Sequence, residues 1–158
     1  MFIFIIIMVI LSTVTLFSLR FTLKKLHIME IFAYWMFICA IVQQVFTIIT
    51  MNLGMIVITE GVGVFWYLIM IRLILIPSII IWLFYFSKNI NLAHKAFLAG
   101  ICIVALSGIQ LLNKTYSMIT YSNWNIAYSF AEWFTIILIS FSFFLWFRYL
   151  LKKEDFIV

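Results

Sequence analysis

Apolar residues in this chain do not alternate with polar ones at the two-residue period of a half-buried strand; they come in long unbroken runs. Five runs stand out, at about 2–19, 28–50, 64–86, 96–112 and 127–147, each bounded by charged or turn-forming residues. A helix crosses a hydrocarbon core of roughly 30 Å with about 20 apolar residues, so each run predicts a membrane-spanning helix. The fourth run is the shortest and carries Gly100, Ser107, Gly108 and Gln110. Small residues of this kind let membrane helices pack backbone to backbone. Barrel strands would need the missing alternation, which leaves helices as the way to satisfy a backbone in lipid. The expected fold is an all-α membrane protein, a compact bundle of five transmembrane helices in one domain over residues 1–158.

Composition narrows the picture further. Of 158 residues, 68% are hydrophobic and 9% charged, against roughly 45–50% and about 25% in a soluble domain. A chain of this size leaves about a third of its unfolded surface exposed on folding, and a mean hydropathy of +1.27 cannot be hidden in one core. A soluble enzyme, a disulfide scaffold and a disordered tail are excluded, the last because disorder needs low hydrophobicity and high charge. The loops between runs and the stretch after 149 are too short for a soluble domain.

Charge placement predicts an orientation. No charge precedes the first run while Arg20, Lys24 and Lys25 follow it, the reverse of a cleavable signal peptide, so this run reads as a retained anchor. Basic residues stay on the cytoplasmic side, which puts the N-terminus outside. Lys88 and Lys95 in the third connection and Arg148, Lys152 and Lys153 after the last run then fall inside, with the C-terminus. The outer connections carry only Lys114 and Glu60. The net charge of +5 therefore reflects topology and contact with anionic headgroups of the lipid bilayer, and it does not point to nucleic acid. Trp66, Tyr67, Tyr121 and Trp124 read as an outer aromatic belt, and Tyr34, Trp35, Trp82, Tyr85, Trp146 and Tyr149 as an inner one.

Polar residues inside the runs are the functional leads. A charge at a helix centre costs roughly 2.5–3.5 kcal/mol on insertion scales, so it needs a partner or a wet cavity. Arg72 and Glu132 both fall roughly 8–12 Å below the outer ends of their runs, at 1.5 Å per residue. At matching depth they are expected to pair. Gln43 and Gln44 on the second run and Gln110 on the fourth come to the same level, which predicts one polar cluster in the outer half. Helical spacing gives Ala33, Ala40, Gln44 and Thr47 one small and polar stripe, and Tyr128, Glu132, Thr135 and Ser142 another, both expected to face inward. Pro77 lacks an amide donor and crowds the carbonyl of Leu73, so a kink is expected, with that carbonyl free to orient the Arg72 guanidinium. The cluster reads either as a structural joint or as a site for a ligand, ion or proton. Glu30 reads as a side chain that snorkels to water or offsets Lys24 and Lys25.

Other chemistry finds little footing. His27 and His94 lie on separate connections without a Cys/His cluster, so no metal or haem is expected. Cys39 and Cys102 are mid-run and read as small buried apolar residues. There is no Walker loop, no G-x-S-x-G and no Ser, His and Asp set, the single aspartate being Asp155. Asn113-Lys114-Thr115 matches a glycosylation acceptor in form, but it abuts the membrane.

The stretch Trp124-Asn125-Ile126-Ala127-Tyr128-Ser129-Phe130, followed by an apolar run and Arg148-Tyr149-Leu150-Leu151-Lys152-Lys153-Glu154, resembles small uncharacterised multi-pass membrane proteins of Bacillus-type bacteria. The resemblance covers the C-terminal third and implies a bacterial plasma membrane, with no activity, catalytic residue or cofactor attached. The expected role is a non-enzymatic membrane subunit, sensor or accessory protein, working with a membrane-protein partner or as a homo-oligomer and without a cofactor. The competing expectation is a small transporter or permease-like unit that takes an anionic solute or protons through the Arg72 and Glu132 pocket.

Overall fold

A computed structural model describes residues 2–88 and 90–154; Asp155 and the tail after it lie outside the described residues. Helix α1 (Phe2–Ser18) runs into a 3-10 turn (Leu19–Lys24), and α2 (Ile28–Thr47) ends in a π-helical turn (Ile48–Asn52). Next come a short strand β1 (Ile56–Ile58), α3 (Val62–Met70), a second π-helical turn (Ile71–Leu75) and α4 (Ile76–Ser87). The chain closes with α5 (Leu92–Thr115), strand β2 (Ile119–Tyr121) and α6 (Ile126–Lys153). The five helical stretches long and apolar enough to cross a membrane are Ile3–Lys24, Ile28–Asn52, Val62–Ser87, Leu92–Thr115 and Ile126–Lys153. The fourth is 24 residues long and outgrows its apolar run at both ends, through Leu92, Ala93 and Lys95, which favour helix, and through one further turn ending at Thr115.

Local chemistry sets the boundaries. At the start of α2 the His27 Nδ1 accepts the Met29 N–H at 3.3 Å and Glu30 Oε2 accepts the His27 N–H at 2.7 Å, a reciprocal cap of two otherwise orphaned donors. At the start of α6 the Asn125 side chain accepts the Tyr128 N–H at 3.1 Å. The second stretch is stopped by Gly54, whose φ of +60° lies where a side chain is strained, and the chain turns there into β1. Strand β1 pairs antiparallel with β2, Ile56 opposite Tyr121 and Ile58 opposite Ile119. This ribbon was not expected from the sequence. Three β-branched or aromatic residues on each side are too few to show a period, yet they pack Ile56, Met118 and Ile119 over one end of the bundle.

The third stretch is the axis of the bundle. Of its most apolar window 61% is buried, against 17–28% in the other four. Leu75, Ile80, Ile81 and Phe84 are fully enclosed. Around this axis α2 touches α4 and α6, α5 touches α4 and α6, and α1 lies against α3 and its π-helical turn. The outer faces keep Ile, Leu, Phe and Met exposed, as a surface in contact with lipid requires.

Two helix faces differ from expectation. The buried face of α2 is Glu30, Tyr34, Ile38 and Val42, at steps of four. The stripe Ala33, Ala40, Gln44 and Thr47 therefore lies toward the outside, with Ala40 and Gln44 exposed. On α6 the buried face is Ser129, Trp133, Ile136, Ser140 and Phe144, leaving Tyr128, Thr135 and Ser142 exposed and Glu132 half-buried. The large apolar and aromatic side chains take the interior because, with lipid outside, packing decides the face, and they make many more van der Waals contacts there than a small stripe does. Tyr34 and Tyr67, expected in the aromatic belts, are likewise buried.

Candidate functional site

The π-helical turn positions Arg72. The Ile76 N–H donates to the Ile71 carbonyl, five residues back, and Pro77 next to it has no N–H to donate. One extra residue is thus accommodated in the turn, a local widening frequent at functional positions. A helical side chain points toward its own N-terminus, so Arg72 reaches back one turn and its Nε donates to the Leu68 carbonyl at 3.0 Å. Its Nη1 donates to Gln43 Oε1 at 3.4 Å, and the guanidinium lies 3.7 Å from the centre of the Phe46 ring. A cation over an aromatic face in a desolvated place is stabilised by about 2 kcal/mol. The Leu73 carbonyl does not orient the guanidinium; it faces the Cys39 thiol, which approaches it at 3.6 Å.

Glu132 is held on the opposite wall. Its Oε2 accepts from Gln110 Nε2 at 3.2 Å, and Gln110 Oε1 accepts from Trp133 Nε1 at 3.3 Å. Below them in sequence Asn113 is buried and accepts the Tyr67 hydroxyl at 2.6 Å. Arg72, Gln110, Asn113, Glu132 and Trp133 all line one small cavity, closed by Val42, Phe46, Leu68, Leu106 and Ile119. Its volume is about 40 Å³.

The expected Arg72–Glu132 ion pair is not formed among the described residues. α3 starts at Val62, so Arg72 lies roughly 15 Å along its stretch while Glu132 lies roughly 9 Å along α6. The two groups share a cavity but each is satisfied by its own wall. Of the expected cluster, Arg72 meets Gln43 and Glu132 meets Gln110, whereas Gln44 joins neither, because a helix turns it about 100° away from Gln43. Asn113, Tyr67 and Trp133 were missed. Asn113 follows Gln110 by three residues, a same-face amide pair that the sequence does display.

A second polar group occupies the other end of the bundle. Among the described residues the one ion pair joins Arg148 Nε to Glu30 Oε1 at 3.7 Å. Glu30 is 1% exposed and also accepts the Tyr34 hydroxyl at 3.3 Å, so it does not snorkel to water. Lys88 donates to the Lys25 carbonyl nearby, and partial burial together with the Arg148 charge holds its ammonium below the usual lysine range. His27 is spent on the α2 cap, His94 is exposed, and Cys39 and Cys102 are free thiols. No group of three His, Cys, Asp or Glu side chains comes together among the described residues. No family model matches the chain, and no curated protein or solved structure matches it either.

Proposed function

We propose that the chain is a non-enzymatic membrane subunit, sensor or accessory protein of a bacterial plasma membrane, docking sideways against another membrane helix through α2. The observation that carries this reading is Gln44. Its carboxamide is exposed inside the Ile28–Asn52 stretch and has no hydrogen-bond partner among the described residues. Ala40, exposed, and Ala33 and Thr47, half-exposed, lie on the same side of the helix. An amide left in hydrocarbon costs several kcal/mol by transfer scales, and small residues beside a polar one are what a close helix–helix contact uses.

Size weighs against the transporter reading for an organic anion. A water needs roughly 10–15 Å³ of cavity, so about 40 Å³ takes about three waters and no metabolite. Proton movement through Glu132 is the form of that reading that survives, favoured by the half-buried carboxylate on the cavity wall.

A photo-crosslinking residue at position 44, compared with one at the exposed Phe32 on another side of α2, tests the docking. Position 44 is expected to give a defined membrane-protein adduct that Thr47→Leu weakens; adducts equal at both positions, or to lipid alone, refute it. Dye-reported proton flux in vesicles that Glu132→Gln abolishes would replace this reading with the second one.

A further inference from the structure

The structure holds a groove unrelated to the Arg72 cavity. It lies between α5 and α6 with the end of α4 as its floor, and its volume is about 380 Å³. Ala96, Ala99 and Gly100 keep it open, and Leu92, Phe134 and Leu138 on its rim are exposed. From Leu92 to Ile103 it follows α5 for about 16 Å, which is close to one leaflet, half of a hydrocarbon core of roughly 30 Å. The walls are apolar except at one end, where Ser87 and Lys95 sit. Lys95 is half-buried in the first turn of α5, which has no acidic residue, and its ammonium has no ion pair or hydrogen bond among the described residues. The positive end of the helix dipole adds to its charge, so this end of the groove favours an anion.

We infer that the groove is a binding site for one anionic phospholipid, with an acyl chain lying along Gly100 and Phe134 and the phosphate against Lys95. A helix of a second copy would fill the apolar part equally well but would bring no carboxylate from a helix face to Lys95: of the described carboxylates at this end, Glu30 is buried and Glu154 stands past the last turn of α6. The leaflet-length trough and the cation at its mouth together select a lipid.

Native mass spectrometry of the full chain, extracted after reconstitution in equimolar phosphatidylglycerol and phosphatidylcholine, tests the site. One retained phosphatidylglycerol per chain is expected, favoured about fivefold, the preference one lysine at an anionic surface supplies. Lys95→Gln should bring the two lipids to parity. A Cβ at Gly100 meets nothing within 4 Å, so Gly100→Leu fills the groove without disturbing the helix and should release both lipids. Equal retention of the two lipids by the unaltered chain, or a preference that survives Lys95→Gln, would overturn the inference. A dimer that excludes lipid and is broken by Gly100→Leu would do the same.

Discussion

Arg72 and Glu132 show how a buried charge finds compensation without an opposite charge. Arg72 has a carbonyl, an amide oxygen and a ring face, and Glu132 has an amide donor. Groups in direct contact, or across a shared cavity, couple by about 0.5–3 kcal/mol, but a charge can replace another only where the partners left behind suit its sign. Exchanging the two charges in an Arg72→Glu, Glu132→Arg double variant is therefore expected not to rescue the loss of either single change, because the carbonyl, the amide oxygen and the ring face that hold Arg72 all repel a carboxylate placed there. Glu30 and Arg148 should behave differently, because they touch and Glu30 is enclosed. Arg148→Met leaves a carboxylate buried and should lower stability, while adding Glu30→Gln should recover part of it, giving coupling on the order of 1–2 kcal/mol. Thermal unfolding of the four-member sets in detergent measures both cycles; a rescue in the Arg72 and Glu132 set would show that these two charges do pair.

Backbone economy governs the elements. The five long helices were legible because unbroken apolar runs have one backbone solution in lipid, and their ends were legible only where a charge stood beside a run. What escaped was set by single residues: the cap His27 and Glu30 build, the extra residue in the turn before Pro77, and three-residue strands whose pairing depends on a partner more than 60 positions away. Gly54 gives a clean test of this level. A Cβ there meets nothing within 4 Å, so Gly54→Ala carries only the cost of φ +60°, about 1 kcal/mol. Gly63 in the first turn of α3 also has open space but no positive φ, and Gly63→Ala should stabilise by up to about 1 kcal/mol. Opposite shifts in unfolding temperature are the expected pair of results, and the same sign for both would mean that the turn at Gly54 is not held as described.

At the scale of the whole molecule, lipid on the outside inverts the usual clue. In water a polar stripe faces out and the apolar face is the core; here both faces of α2 and α6 are apolar, so the stripes through Gln44 and Thr135 gave no sign of which way they turn. The interior went to Tyr34, Phe84, Trp133 and Phe144, whose rings make the broadest contacts. The polar groups of the site were visible as residues, but their pairing was not, since depth counted along an apolar run shifts with each residue by which the helix outgrows it. Orientation is the one global property that charge alone predicts. Arg20, Lys24, Lys25, Lys88 and Lys95 flank one end of the bundle, where α4 finishes and α5 begins, and Arg148, Lys152 and Lys153 join them from α6. Cytoplasmic retention of short basic loops would put the β1–β2 ribbon and Glu60 outside. In a chain with Cys39→Ala and Cys102→Ala, a thiol-directed reagent that cannot cross the membrane should label Glu60→Cys in intact cells and Lys88→Cys only after permeabilisation. The reverse pattern would place the ribbon in the cytoplasm, and equal labelling of both would mean that the chain inserts in two orientations.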